Sequence, residues 1–390
     1  MIAADQNGLA TPTEQTGPHT LLRTTQVLGR ETKAWLSSEP ADHAWDQFLR
    51  GTDLGQFQQS SLWARAKRMD GWQCRRLVLE QEEKIAGGFQ MLWRRTRFGR
   101  IGYIIKGPVL AAEEPESISL VLDTLGGLIR SERFLALVVQ PPDFSPSLAN
   151  HLNTYGFVAD RLMNVISATC VVNLAGPAGA WEKNMGRSKK LEARRGIRRG
   201  AVVREGSLDD IPRFFELMCA TCVRQGAQPN PSTVHGLRHL VQVFHQAGAA
   251  RLSFAEVEGQ AVACVLDLKF GSRATAWKKG WNGAHPDKHP NTLLGYQSLQ
   301  WAAGNGCRYF DFAGMGRSLA EHLRAQQPLT EEQKKDRDIF NLEFGAEPQL
   351  LPPAVIYWRH PLLRWFYRKA VASPWLAARL GRLAKRVGSS

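Results

Sequence analysis

Cys219 and Cys222 are spaced as Cys-x-x-Cys, the pattern of a metal-binding pair or a redox dithiol. A structural zinc site needs a second such pair, and a redox dithiol opens a helix just after a strand. Here the pair is embedded in an apolar helical pattern with Phe214, Phe215, Leu217 and Met218, so two packed thiols are expected. His235 and His239 stand one helical turn apart, but position 236, where an HExxH motif carries its glutamate base, is glycine. They read as surface or capping histidines. His285 and His289 lie in a loop rich in Pro and Asn, and no metal is expected there. The sequence has no Gly-x-Ser-x-Gly elbow, P-loop or Gly-x-Gly-x-x-Gly fingerprint. The stretch GMGRS (Gly314–Ser318) follows a strand pattern and could form a backbone nest for an anion.

A basic run from Trp181 to Gly200, WEKNMGRSKKLEARRGIRRG, carries Lys183, Arg187, Lys189, Lys190, Arg194, Arg195, Arg198 and Arg199 against only Glu182 and Glu192. It reads as an amphipathic helix reaching about Arg199 and ended by Gly200. Trp181, Met185, Ser188 and Leu191 share one face at about 100° per residue. Arg187, Lys190 and Arg194 project on the other side, flanked by Lys189 and Arg198. A solubilising face would mix signs, and this one barely does. The expectation is phosphate or RNA contact through Arg187, Lys190, Arg194 and Arg198.

The elements that must position these residues follow from the hydropathy pattern. The chain has 390 residues, a 43% hydrophobic share and a formal net charge of +14. That is globular composition for about two to three domains, with a charge that favours anionic partners: phosphates, RNA or acidic lipid. SSLWARAKRM reads as a helix, RRLVLEQEEKIAGGFQMLW as two strands about a charged turn, GRIGYIIKGPVL as a third strand, SLVLDTLGGLIRS as a helix and FLALVVQPP as a strand stopped by prolines. The second half repeats the plan: the helix DIPRFFELMCATCVRQ, two strands in RLSFAEVEGQAVACVLDLKF, the helix TLLGYQSLQWAAGNG and the strand RYFDFAG. Periodicity alone therefore suggests two similar α/β units in tandem, with the basic run at their junction.

Location follows from similar arguments. No run approaches the roughly 18 apolar residues of a membrane span, and the first residues lack the basic start and apolar stretch of a signal peptide. The six cysteines are scattered and suit a reducing compartment. The expectation is a cytoplasmic monomer. After Glu347 no acidic residue follows, and 355–387 interleaves aromatic and basic residues. Either that tail touches the anionic inner face of the cytoplasmic membrane, or its aromatic residues pack on the domains.

FQQSSLWARAK, then GPVL, GRSKKLEARRGIRRGAVV, LLGYQSLQWAAGNGCRYFDFAGM and FNLEFG, in that order, resemble the Fem family, the peptidyltransferases that build peptidoglycan cross-bridges. The resemblance spans about residues 45 to 360. It implies an α/β (α+β) fold of two GNAT-like (acetyltransferase-fold) domains with mixed sheets flanked by helices. The expected division is a flexible lead-in over 1–44, a first domain over 45–175, a second over 176–345, and a return to the first domain with the basic tail over 346–390. The stretch between Cys222 and Arg251 is too short for the coiled-coil arm of some members. The implied reaction moves an aminoacyl group from aminoacyl-tRNA to an amine of a peptidoglycan precursor, lipid-linked or UDP-MurNAc-pentapeptide, with no cofactor beyond the tRNA donor. Lys67 and Arg224 match the family's phosphate-binding cations. Trp277 falls where the family often has a substrate-side tyrosine, and Tyr103 would line the same channel.

Two departures bear on the transfer step. Gln140-Pro141 replaces an Asp-Pro whose carboxylate is a candidate base, and Phe340-Asn341 replaces a Phe-Lys whose lysine serves aminoacyl-tRNA. Asp311 is the substitute carboxylate, with Glu343 a weaker one, so Asp311 and Asn341 are the positions carried as catalytic. The competing readings are an acyl-CoA-dependent N-acyltransferase of exopolysaccharide or envelope lipid, and a non-catalytic RNA- or membrane-binding relative. Against acyl-CoA, the sequence lacks a Q/R-x-x-G-x-G/A pyrophosphate loop before a helix.

Overall fold

The computed structural model describes residues 15–16, 18–160, 165–334 and 336–372. In chain order the first elements are β1 (Gln15–Thr16), β2 (His19–Val27), β3 (Arg30–Ser37), α1 (His43–Arg50), α2 (Ser61–Lys67), β4 (Gln73–Gln81), β5 (Lys84–Thr96), β6 (Gly99–Ile105), β7 (Val109–Leu110), α3 (Pro115–Ser131), β8 (Phe134–Gln140), α4 (Pro146–Leu152) and β9 (Val158–Ala159). Then come β10 (Ala168–Asn173), α5 (Arg187–Arg198), β11 (Ala201–Glu205), α6 (Ile211–Arg224), α7 (Val234–Gln246), β12 (Ala250–Val257), β13 (Gln260–Phe270), β14 (Arg273–Trp281), α8 (Pro290–Gly304), β15 (Tyr309–Asp311), α9 (Arg317–Arg324), α10 (Glu331–Lys334), α11 (Arg337–Leu342) and β16 (Glu347–Leu350). The described chain closes with β17 (Val355–Trp358) and α12 (Pro361–Ala372). Among the described residues no helix is long and apolar enough to cross a membrane.

The described residues divide into two compact units: one takes those up to Asp160 and from Pro352 to Ala372, the other Val165–Leu351. The first sheet runs β1-β2-β3-β4-β5-β6-β8-β17-β9, with β7 against β5. Its parallel pair is β6 and β8, bridged by α3. Pro115 opens α3 at the position where a missing N–H costs nothing. Ile118, Val121, Leu122, Leu125 and Ile129 then bury one stripe against Phe89, Met91, Phe134 and Leu137. Each such side chain stabilises the fold by about 1.5–3 kcal/mol.

The expected lead-in over 1–44 is corrected by β2 and β3, which extend this sheet through β4. Thr32, Ala34 and Ser37 are buried on β3, Val27 alone of β2 is fully buried, and Leu22 and Leu36 are only partly buried against the core, so the stretch carries little hydropathy signal. Leu28 and Gly29 turn the hairpin at φ 52° and 74°. Positive φ at both residues of a two-residue loop matches the twist of the flanking strands. Glu82-Glu83 and Glu258-Gly259 do the same for β4–β5 and β12–β13.

The second sheet runs β11-β12-β13-β14-β15-β10-β16, again with one parallel pair, β14 and β15. β10 pairs with β15 and β16, so the second unit begins ahead of residue 168 and not at 176. It extends through β16 rather than ending at 345. Its core gathers Cys170, Val172, Val265, Leu294, Leu299, Phe310, Phe312 and Phe344.

Candidate functional site

In the first unit the site residues gather around α2. Asp46 fixes the start of the helix: its carboxylate accepts from Ser61 N at 2.7 Å and from Ser61 Oγ at 2.6 Å. Ser60 caps it by accepting from Trp63 N. Lys67, at the last turn, has its ammonium 2.6 Å from Asp70 and 5.2 Å from the Trp63 ring centroid. Tyr103 comes from β6 and meets Trp72 edge-on at 4.7 Å. Burial pushes its phenol well above the usual tyrosine range, with the Trp63 side chain opposing. Lys67 and Tyr103 are thus brought together around Trp63, although an incoming phosphate must compete with Asp70 for the lysine. A surface pocket of about 460 Å³ beside them is lined by Ser38, Arg65, Arg68, Trp72 and Gln73.

Gln140, at the end of β8, is buried, and its amide donates to the Pro352 carbonyl at 3.1 Å. The carboxylate of this corner stands three residues later, at Asp143. It is 1% exposed, ion-paired with Lys106, and accepts from Gln56 Nε2 at 2.7 Å. Asp143 escaped the sequence reading, although Lys106-Gly107-Pro108 and Pro141-Pro142-Asp143 were its signals. Its pairing makes it a tie between the ends of two strands.

In the second unit the candidate residues gather about β14 and the elements packed on it. The β13–β14 register pairs Leu266 with Lys278 and Asp267 with Ala276, leaving Trp277 as a bulge. A bulge bends the strand and re-aims its side chains. Trp277 itself is half-buried. Arg224, the last residue of α6, lies over Trp281 at 5.2 Å and donates to Thr221 Oγ1. Thr221 in turn joins Trp281, whose N donates to Thr221 Oγ1 at 2.8 Å. Arg224 is therefore seated on the end of β14, at Trp281.

Asp311 does not serve as a free base. Its Oδ1 accepts from Thr169 Oγ1 and from Ala313 N, and Oδ2 faces Arg273 Nη1 at 3.2 Å. The candidate anion nest at Gly314–Ser318 is also corrected: Gly314 N donates to Thr169 Oγ1, Met315 N to the Ala168 carbonyl and Gly316 N to Asp338 Oδ2 at 2.8 Å. These amides are already satisfied. Asn341, on α11, is 9% exposed and accepts from Lys279 Nζ at 3.3 Å. Lys279 was not singled out from the sequence, because nothing local links it to a residue 62 positions away.

The FemAB family model matches residues 41–154, and the acetyltransferase (GNAT) domain model matches 183–322. The solved structure of FemX superposes with a TM-score of 0.70 at 16% identity, over 83% of this chain and 97% of that one. The chain has a GNAT-like fold, and its first unit is similar to the FemAB family. A Lipid II:glycine glycyltransferase of Staphylococcus aureus (strain MRSA252) is 21% identical over 225 residues, 55% of this chain and 53% of that protein. The chain spans about half the length of the curated relatives it matches.

The basic helix differs from its expected geometry. α5 begins at Arg187, with Trp181 in a preceding 3-10 turn. The buried stripe is Lys189, Ala193 and Gly196, whereas Ser188 and Leu191 are exposed. A Cβ at Gly196 would meet the Lys288 carbonyl at 2.6 Å, so the stripe is small because backbone runs beneath it. Lys189 is tied to Glu192 and Glu343 at 2.9 Å each and stands 4.2 Å from the Phe340 ring centroid. That pairing accounts for Glu343. Arg187, Arg194 and Arg198 are exposed and Lys190 half-buried on one outward face, and none forms an ion pair with a described residue. Cys219 and Cys222 are free thiols on α6.

Proposed function

We propose that this chain is a Fem-type transferase that moves an aminoacyl group from an aminoacyl-tRNA to an amine of a peptidoglycan precursor. The observation that carries the reading is the similarity to the Lipid II:glycine glycyltransferase, across 225 residues. The amine attacks the ester carbonyl, so the site must hold two phosphate-bearing substrates, accept a proton and stabilise an oxyanion. Lys67 and Tyr103 in one unit, and Arg224 and Trp277 in the other, are the substrate-binding groups of this reading. The outward face of α5, with Arg187, Lys190, Arg194 and Arg198, is its RNA-binding surface. The basic, aromatic α12 favours a lipid-linked precursor met at the inner face of the cytoplasmic membrane, with the protein working as a monomer in the cytoplasm.

The test is label transfer. The protein is incubated with labelled aminoacyl-tRNA or acetyl-CoA, plus lipid II or UDP-MurNAc-pentapeptide. Transfer from the tRNA supports the reading. Transfer from acetyl-CoA alone overturns the donor, and RNA or vesicle binding without transfer makes the chain a non-catalytic relative. Lys67→Ala or Arg224→Ala should weaken precursor binding about tenfold or more, as loss of a charge-assisted contact does. Unchanged affinity in both rejects these phosphate contacts.

A further inference from the structure

Lys279 lies where the parallel pair of the second sheet comes apart. β14 and β15 pair only at Arg273–Tyr309, Ala274–Phe310 and Thr275–Asp311. Past that point the bulge at Trp277 redirects β14. In open sheets, ligands sit beyond the carboxyl ends of parallel strands. Lys279 occupies that place: its ammonium stands 4.7 Å from the Phe312 ring centroid and donates to Asn341 Oδ1.

The neighbouring acids are held by other groups. Asp311 faces Arg273, Asp338 accepts from Gly316 N and faces Arg337, and Asp267 accepts from Ser298 Oγ at 2.7 Å. Among the described residues no carboxylate forms an ion pair with Lys279, unlike Lys67, Lys106 and Lys189. An ammonium has three N–H donors. One amide oxygen and a ring face leave donor capacity, and the side chain is exposed to solvent. Desolvation by the protein atoms around the ammonium holds its pKa below the ordinary lysine value, against the raising influence of Cys170, Asp267, Asp311 and Asp338.

We propose that Lys279 is a catalytic residue whose ammonium, positioned by Asn341, binds the reacting carbonyl oxygen of the donor ester. The proposal rests on the transferase reading. The acceptor nitrogen forms the C–N bond, and the carbonyl electron pair moves onto the oxygen facing Lys279. When the tetrahedral intermediate collapses, the ester C–O bond breaks. The leaving hydroxyl oxygen takes that pair, and with it the proton released by the amine. A cation facing the oxyanion stabilises the charge only as it develops.

The experiment measures single-turnover transfer by the full chain, with whichever donor the wild type uses, alongside separately measured donor and precursor affinities. Lys279→Met should lower the rate about 100-fold or more, the scale of an oxyanion donor, with both affinities and Tm near wild type. Lys279→Arg should restore part of the rate and move the alkaline fall of the pH profile upward, because guanidinium stays charged. A Lys279→Met rate within about threefold of wild type overturns the proposal, and so does a loss matched by weaker donor affinity. A wild type that transfers from no donor overturns the transferase reading itself, and the proposal with it.

Discussion

Asp267 shows what burial does to one carboxylate. It lies on β13 beneath α8, fully buried, with Ser298 Oγ donating to Oδ2. Burial pushes its carboxyl from 3.8 up to about 7. The folded protein therefore holds this proton more tightly than the unfolded chain does. Its contribution to stability is fully present below about pH 4 and is lost as pH rises through about 7. Asp267→Asn keeps an acceptor for Ser298 and removes the titration. Denaturant midpoints should fall between pH 5 and pH 8 for wild type relative to Asp267→Asn. Parallel curves for the two proteins would refute the shift. Such residues are the hardest to read from sequence. Asp267, Asp311 and Asp143 look alike in a one-letter string, and only the fold distinguishes the crowded one from the two held by Arg273 and Lys106. Lys67 and Tyr103 were named through a family resemblance, and their common packing about Trp63 came only with the fold.

Helices and strands carry the positioning. α6 is seated on β14 because Gly280 has no side chain: a Cβ there would meet Leu217 C and Met218 N at 2.6 Å. Gly280→Ala should push α6 off the strand and strain the Thr221–Trp281 bonds that seat Arg224. The expected cost is about 1–3 kcal/mol, the usual scale of overpacking, seen as a lower Tm; an unchanged Tm would show that this contact does not seat α6. The α5 face makes a second prediction. Arg194→Glu and Arg198→Glu together should weaken tRNA binding and make its dependence on log salt shallower by about two, since each phosphate contact contributes about 0.9 to the slope. An unaltered slope would leave the helix a solvated face. At this scale the sequence was informative where pattern and turn chemistry agreed, as in β4–β5 and β12–β13, whose charged loops adopt positive φ. It misled at α5, because taking Trp181 into the helix rotated the assigned face, and it was weak at β2–β3, where Val27 is the one large apolar residue fully buried beside Thr32, Ala34 and Ser37.

The two units share one plan across the whole molecule: a hairpin of long strands, one parallel pair bridged by a helix, and an antiparallel strand beside it. That last strand is β17, from the chain's return, in the first sheet, and β10, the second unit's opening strand, in the other. Charge is distributed less evenly than architecture, since no acid follows Glu347. On α12, Tyr367 faces inward, with its hydroxyl donating to Asp160 at 2.7 Å and its ring 5.5 Å from Trp358. The other side presents Leu362, Trp365 and Phe366 at 71%, 54% and 60% exposure. Arg359, Arg368 and Lys369 are exposed around them. Arg364 is half-buried on the same helix, and the other basic residues of the expected 355–387 contact, Arg379, Arg382, Lys385 and Arg386, lie outside the described residues. An apolar stripe rimmed by cations suits the headgroup layer of an anionic membrane, where buried apolar area and charge attraction add. The full chain should therefore co-sediment with phosphatidylglycerol vesicles and only weakly with phosphatidylcholine vesicles, and added salt should release it. Trp365→Ser with Phe366→Ser should reduce that binding about tenfold or more, on the scale of two lost aromatic insertions. Tm should hold, because neither ring is in the core. Binding that survives the double substitution, or that is equal on both vesicle types, would mean that α12 is not the membrane contact.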